Sequence, residues 1–201
     1  MSKSKDFFNI VAVGDTNTGK SALMSVLKDG KLTNQDLPEY FKTFTHKMKV
    51  DGKKIELGLW DTAGEASYEG LRRLSYPNCS LILMCYSVDS RESFENVTKV
   101  WLPEIKRHGP PNVPIVIVGT KQDLRPRASL IPNGSDSQIN DGFVKYDEGM
   151  HLADTTGASS FLECTAHNEN TVFSVFEHAA RAALQSAKEQ KKLKERRGSG
   201  K

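Results

Sequence analysis

The sequence predicts an α/β fold with a six-stranded, mostly parallel sheet and helices on both faces. Three observations support it: six short apolar segments rich in β-branched residues, helical patterns between several of them, and one tight turn joining the second and third segments. Strands joined by longer crossovers should run parallel. The predicted strands cover residues 7–13, 43–50, 54–60, 80–88, 114–119 and 160–164.

The connections between these strands carry recognisable local signals. Asp51-Gly52 is typical of a two-residue hairpin turn, so the second and third strands should be antiparallel neighbours. The clearest helix is predicted over residues 171–184, where apolar side chains recur on one face. Another is predicted over residues 91–107, with Ser90 as its N-terminal cap and a bend at Pro103.

The chain has 201 residues, 37% of them hydrophobic, which suits one globular domain, here assigned to residues 1–187. Cys79, Cys85 and Cys164 lie in apolar surroundings without the spacing of a disulfide framework or zinc site. They are therefore predicted to be core residues of a cytoplasmic protein. No run approaches the roughly 20 apolar residues of a membrane span, and the N-terminus lacks the apolar stretch of a secretory signal.

Charge is unevenly distributed along the chain. The net charge is +3, yet residues 188–201 alone hold seven Lys or Arg against two Glu. We therefore expect a basic, flexible tail that contacts anionic membranes weakly and transiently. A nearly neutral body argues against binding nucleic acid, and we expect a monomer that is cytoplasmic and peripheral at membranes. Residues 125–145, with Pro126 and Pro132, are predicted to be a surface insertion.

The segment after the first strand matches the phosphate-loop pattern G-x-x-x-x-G-K-[ST]. Its backbone N–H groups can surround a phosphate at the positive end of the following helix. Lys20 can reach the outer phosphates, and the Ser21 hydroxyl can bind Mg²⁺. The nucleotide-binding residues predicted here are Gly14, Asp15, Thr16, Asn17, Thr18, Gly19, Lys20, Ser21 and Ala22.

A second motif, Asp-Thr-Ala-Gly, follows the third predicted strand and runs from Asp61 to Gly64. A carboxylate at the edge where the phosphate loop lies can hold Mg²⁺ through water. Asp61 and Ser21 are therefore predicted metal ligands, and Gly64 is predicted to lie at the nucleotide.

Two further motifs favour a guanine base. Asp123 can accept hydrogen bonds from the guanine N1 and N2 edge, while the Lys121 stem can lie over the ring and the Ala166 N–H can meet O6. The predicted base-binding residues are Thr120, Lys121, Asp123, Leu124, Thr165, Ala166 and His167.

The order GDTNTGKS, DTAG, TKQD and ECTA resembles that of the Ras-type small GTPases. Within that group, WDTAG, RRLSYP, LILMCYS, WLPEI and VPIVIVGTKQDLR are similar to the Rho family, over about residues 7–187. The resemblance implies a P-loop NTPase fold and a switch that binds GTP or GDP with Mg²⁺. It also implies exchange factors, activating proteins and effectors, the latter acting on the actin cytoskeleton, that bind residues 32–42 and 64–76.

Several positions depart from the pattern of that family. Thr16 replaces a glycine that leaves room for the hydrolytic transition state, and Glu65 replaces the glutamine that orients the attacking water. Glu39 replaces a threonine that binds Mg²⁺; its carboxylate can still be a metal ligand, but it repels the nucleotide. Leu32 and Asp36 replace aromatic residues at the base and phosphates. With Lys20, the residues Thr16 and Glu65 are the predicted catalytic set, and we expect slow hydrolysis.

Alternatives to this reading remain open. The chain could be a pseudo-GTPase scaffold whose surface binds partners irrespective of nucleotide, as Glu39 and Asp36 suggest if they disfavour GTP. An ATP-using P-loop kinase is disfavoured by Asp123 and Ala166. The chain ends in RRGSGK and not in the cysteine-containing prenylation box typical of Rho proteins. Either the sequence is truncated, or the basic tail and partners alone bring it to membranes.

Overall fold

The computed structural model describes residues 6–32, 41–125 and 142–198. The strands are β1 (Asp6–Val13), β2 (Phe41–Val50), β3 (Lys53–Thr62), β4 (Leu81–Ser87), β5 (Ile115–Thr120) and β6 (Ser160–Glu163). They form one six-stranded sheet in the order β2-β3-β1-β4-β5-β6. This arrangement confirms the predicted fold class. Most of the predicted insertion, residues 126–141, lies outside the described residues.

The pairing of the strands places a crevice beside β1. β2 and β3 are antiparallel, whereas β1 runs parallel to both β3 and β4. Asp51 and Gly52 both have positive φ, +48° and +78°, as a type I′ hairpin turn requires. The predicted hairpin is therefore confirmed. Because β3 and β4 flank β1 on opposite sides, the strand order reverses at β1 and opens a ligand crevice at its carboxyl end.

Helices cover both faces of the sheet and create two apolar cores. They are α1 (Lys20–Asp29), α2 (Glu69–Arg72), α3 (Arg91–Asn96), α4 (Leu102–His108), α5 (Tyr146–Thr156) and α6 (Glu169–Gly198). One core contains apolar residues of α1 and α6, and the other contains those of α4 and α5. All three cysteines are buried in these cores as free thiols, as predicted.

The helix predicted over residues 91–107 is divided. Ser90 caps α3, since its Oγ accepts a hydrogen bond from the Ser93 N–H at 3.2 Å. A π-helical turn, Val97–Trp101, then joins α3 to α4. Because Pro103 has no N–H to donate to the preceding turn, the regular α-helical ladder is interrupted there. The expected bend at Pro103 thus takes the form of a widened turn just before the proline.

The last helix is much longer than the sequence pattern indicated. α6 continues to Gly198, whereas the prediction ended the helix at residue 184 and made residues 188–201 a flexible tail. The correction has a local cause: this stretch is rich in Lys, Glu, Gln and Arg, which favour helix. Pairs four residues apart, Gln185–Glu189 and Lys191–Glu195, add support. None of the described helices is both long and apolar enough to cross a membrane.

Two buried tyrosines differ in what their hydroxyls contact. The Tyr86 hydroxyl is buried with no hydrogen-bond partner among the described residues. It fits against Gly119 and Gly149, where an added Cβ would lie 2.9 Å and 2.6 Å from it. The Tyr76 hydroxyl instead donates to Glu104 Oε1. A buried hydroxyl without a partner keeps its full desolvation cost, whereas a paired one does not.

Removing the two hydroxyls should therefore change stability in opposite directions. Tyr86→Phe should raise the free energy of unfolding by about 1 kcal/mol, and Tyr76→Phe should lower it by about 1–3 kcal/mol because it leaves Glu104 short of a donor. Urea unfolding of both variants measures the difference. A comparable loss of stability in both would contradict this account of Tyr86.

Candidate functional site

The phosphate-loop residues lie where β1 ends and α1 begins, at the crevice formed by the reversal of strand order. Gly14 has φ +146°, and a Cβ there would lie 2.1 Å from the Cys85 carbonyl oxygen. Gly19 and Asn17 also have positive φ, +81° and +64°. The loop therefore needs glycine at position 14 both for its backbone conformation and for its close approach to β4.

Lys20 is a buried cation at the centre of the loop, with 6% of its surface exposed. Its ammonium donates hydrogen bonds to the carbonyl oxygens of Gly14 and Asp15, at 2.8 Å and 2.7 Å. Burial lowers the pKa of Lys20, and nearby acidic groups such as Asp61 and Glu65 oppose that shift. A bound phosphate would favour the charged ammonium in the same way.

Asp61 is the buried anion opposite this cation, only 4% exposed near the end of β3. Its side chain is hydrogen-bonded to Ser21, and burial raises its pKa against the effects of Ser21, Lys20 and Lys42. Its Oδ1 atom is buried without a hydrogen-bond partner among the described residues. A buried carboxylate oxygen without a donor is costly unless a ligand satisfies it.

The side-chain oxygens of Ser21 and Asp61 fit the magnesium ion predicted from sequence. Mg²⁺ prefers hard oxygen ligands, commonly one or two protein groups together with waters and substrate phosphates. The Ser21 hydroxyl and the Asp61 carboxylate supply such a set. The described residues contain no group of three or more His, Cys, Asp or Glu side chains that could hold a metal. Among the described residues, Ser21 and Asp61 would therefore share a magnesium ion with waters and phosphates.

Two cavities at this edge collect most of the predicted site residues. The phosphate cavity, about 380 Å³, adjoins the base cavity, about 200 Å³, and both contain Gly19 and Ala22. Among the predicted residues, the phosphate cavity is lined by Thr16, Asn17, Gly19, Lys20, Ser21, Ala22, Asp61, Gly64 and Glu65. The base cavity is lined by Gly19, Ala22, Leu32, Thr120, Lys121, Asp123, Leu124, Thr165, Ala166 and His167.

The base cavity is held together by contacts between its motifs. Thr120 Oγ1 donates to the Thr18 carbonyl oxygen at 2.7 Å, which ties β5 to the phosphate loop. The Gln122 N–H donates to the Cys164 carbonyl oxygen at 3.1 Å. Asp123 is exposed at the rim, so its carboxylate is accessible to a ligand. The motifs after β5 and β6 thus form one wall although they are far apart in sequence.

Two of the substituted positions, Thr16 and Glu65, lie in the phosphate cavity. Thr16 is exposed and lines that cavity together with the half-buried Glu65. The Glu65 carboxylate is among the acidic groups that oppose the lowering of the Lys20 pKa by burial. Glu39 and Asp36 lie outside the described residues, so the predicted Glu39 contact with Mg²⁺ stays a prediction.

Sequence reasoning missed the residues that hold the phosphate loop from behind. Asp15 does not line either cavity; its carboxylate accepts hydrogen bonds from Asn96 Nδ2 at 2.7 Å and Trp101 Nε1 at 2.6 Å. Asn96 is the last residue of α3, and Trp101 lies in the π-helical turn that follows. Three strands, β2, β3 and β4, separate both residues from Asp15 along the chain. No spacing in the sequence signals these contacts, because they arise only when α3 and the π-helical turn after it pack against β4, next to the phosphate loop.

A larger groove, about 730 Å³, lies between α4 and α6. Its polar side chains include Lys106, His178 and Arg181, and Arg181 is already paired with Asp51 and Glu177. The described residues of this groove include no buried charged side chain, and the buried polar atom without a partner that they do include is the uncharged Ser160 hydroxyl. The phosphate cavity is therefore the better candidate site despite its smaller size.

The chain was compared with models of known protein families. Residues 9–185, which include every described residue of both cavities, match the model described as the Ras family.

Glycine substitutions at two neighbouring positions should have different effects. A Cβ at Gly64 would lie 2.3 Å from the Thr16 amide nitrogen, whereas a Cβ at Gly70 in α2 would meet nothing within 4 Å. Gly64→Ala should lower the free energy of unfolding of the nucleotide-free protein by about 1–3 kcal/mol. Gly70→Ala should leave it unchanged or raise it by up to about 1 kcal/mol. Denaturant unfolding measures both changes. Equal effects would refute the close packing of Gly64 against the phosphate loop.

Proposed function

The chain belongs to the Ras family of GTP-binding switches, and from this premise we propose that it binds GTP and GDP with Mg²⁺ and signals in the manner of Rho-type GTPases. One observation supports this most: a buried ammonium, that of Lys20, and an unpartnered buried carboxylate oxygen, that of Asp61, share one cavity. A phosphate and a divalent cation satisfy both groups at once.

In this proposal the described residues bind and orient the nucleotide. The phosphate-loop amides and Lys20 hold the phosphates, and Ser21 and Asp61 hold Mg²⁺, which supplies charge neutralisation at the phosphates when bound. Asp123 and the Ala166 N–H select guanine at the base cavity. Leu32, 38% exposed at the rim, offers the base no aromatic contact. We expect that loss to speed nucleotide release.

We propose further that hydrolysis is slow. Phosphoryl transfer depends on donors and cations that stabilise the charge of the transition state. Glu65 adds a carboxylate to the phosphate cavity, and it lacks the amide donor that a glutamine would have. Thr16 is exposed and lines the same cavity, so its side chain would crowd a terminal phosphate bound there. GTP occupancy would then be set by nucleotide exchange more than by activating proteins.

Partner binding is proposed through residues 32–42 and 64–76, with effectors that act on the actin cytoskeleton. The second of these segments exposes two leucines, Leu71 at 46% and Leu74 at 73%, which suits an apolar contact. The basic end of α6 is proposed to contact anionic membranes weakly. A nucleotide-independent scaffold is the second candidate, favoured only by the acidic residues Asp36 and Glu39.

Base selection gives a direct test against an ATP-binding protein. Fluorescent GDP should bind more tightly than fluorescent ADP in the presence of Mg²⁺. Asp123→Ala should weaken GDP binding by at least about tenfold because two hydrogen bonds to a charged acceptor are lost. Asp154→Ala removes an exposed carboxylate of α5, distant from both cavities, and should leave GDP affinity unchanged. Preferential ADP binding would support the kinase alternative instead.

Single-turnover hydrolysis of bound GTP tests the charge argument. The unmodified protein should be slow with or without a Rho-type activating protein. The double substitution Glu65→Gln, Thr16→Gly should raise the rate by about tenfold or more, since one unfavourable charge and one crowding side chain are removed. Glu69→Gln makes the same charge change at a side chain that instead pairs with Arg73, and should have no effect. Strong acceleration of the unmodified protein by the activator would contradict slow hydrolysis.

A further inference from the structure

Arg72 joins helix α4 to the backbone that follows Asp61. Its side chain is 2% exposed, and its guanidinium donates two parallel hydrogen bonds to Glu104, at 2.9 Å and 2.8 Å. Its remaining terminal nitrogen donates to the carbonyl oxygens of Ala63 at 2.7 Å and Glu65 at 3.2 Å. The segment that lines the phosphate cavity is thereby attached to a helix on the face of the sheet.

Trp101 joins the same guanidinium to the phosphate loop. The Arg72 Cζ atom lies 4.7 Å from the centroid of the Trp101 ring, a cation–π contact shielded from water. At the edge of the same ring, the indole N–H donates to Asp15 Oδ1 at 2.6 Å. The Asp15 carbonyl oxygen in turn accepts from the Lys20 ammonium. A continuous series of contacts therefore runs from Ala63 and Glu65 through Arg72 and Trp101 to the phosphate-binding lysine.

We propose that Trp101 is a positioning residue that fixes the phosphate loop against the segment after Asp61 and so slows nucleotide release. The inference rests on the proposed function, because it concerns retention of nucleotide in the same site. Both walls of the phosphate cavity are loop backbone at this point, so neither has a strand or helix ladder to hold its place. Trp101 contacts the side chains that anchor both walls.

Stability alone does not account for this cluster. A buried ion pair such as Arg72–Glu104 loses much of its Coulombic gain to desolvation. Apolar side chains of similar volume often give the folded state equal or greater stability. What apolar residues lack is fixed direction: the guanidinium and the indole N–H each require acceptors at defined positions. The cluster therefore sets the relative position of two loops more than it adds to the free energy of folding.

Two conservative substitutions and one control variant test the proposal. Trp101→Phe keeps a ring beside Arg72 and removes the donor to Asp15, while Glu104→Gln weakens the hold on Arg72. The control, Glu148→Gln, weakens another Arg–Glu pair with two hydrogen bonds, Arg91–Glu148 at 2.6 Å and 3.1 Å, which is more exposed and lies in neither cavity. Release of a fluorescent GDP analogue is measured with Mg²⁺. Amide hydrogen exchange of residues 14–20 and 62–68 is measured without nucleotide.

Both cluster variants should release the GDP analogue about tenfold faster, as the loss of one buried charge-assisted hydrogen bond implies. Both should also raise amide exchange in the two loops together, whereas Glu148→Gln changes neither. Unchanged release, or faster exchange confined to the substituted helix, would overturn the proposal. If Trp101→Phe does not fold, Glu104→Gln decides alone. Should the protein bind no guanine nucleotide, the proposed function fails, and the exchange measurement still decides whether Trp101 couples the loops.

Discussion

The site depends on the burial of the Lys20 ammonium between two main-chain carbonyl oxygens, those of Gly14 and Asp15. A cation with so little contact with water needs anions near it, and Asp61 at the end of β3 is one of them. The loop can curve around the ammonium only because Gly14 lets the chain approach the Cys85 carbonyl oxygen. The parallel order β3-β1-β4 brings both charges to the same edge of the sheet.

The same arrangement gives a physical reason for the proposed separation of binding from hydrolysis. Lys20 and Asp61, which are expected to hold the phosphates and Mg²⁺, are buried and hydrogen-bonded, and the exposed Ser21 side chain is bonded to Asp61. All three retain the residue types that this chemistry needs. The residues expected to lower the hydrolytic barrier lie at the cavity mouth, and there the chain has Thr16 and Glu65. Rigid binding groups and altered catalytic ones would give a long-lived GTP state, in which nucleotide exchange controls the switch.

Local signals made the fold and most of the cavity lining predictable. The Asp51-Gly52 turn, the Ser90 cap and the phosphate loop each follow from a few adjacent residues, so the sequence alone defined them. Contacts between distant residues were not predictable: Arg72 and Trp101 meet only after α2 and α4 have packed together. The length of α6 was underestimated because its second half has no apolar stripe, although its residues favour helix individually.

The nucleotide retained through purification tests the central claim most directly. Protein purified rapidly in Mg²⁺ buffer is denatured, and the released nucleotide is separated by chromatography and quantified against the protein. If the nucleotide-binding site is intact and hydrolysis is impaired, the retained nucleotide should be a guanine nucleotide, with GTP exceeding GDP. Adenine nucleotide, or an empty site that also fails to take up added GTP or GDP, would contradict a guanine-nucleotide site. GDP alone would contradict impaired hydrolysis.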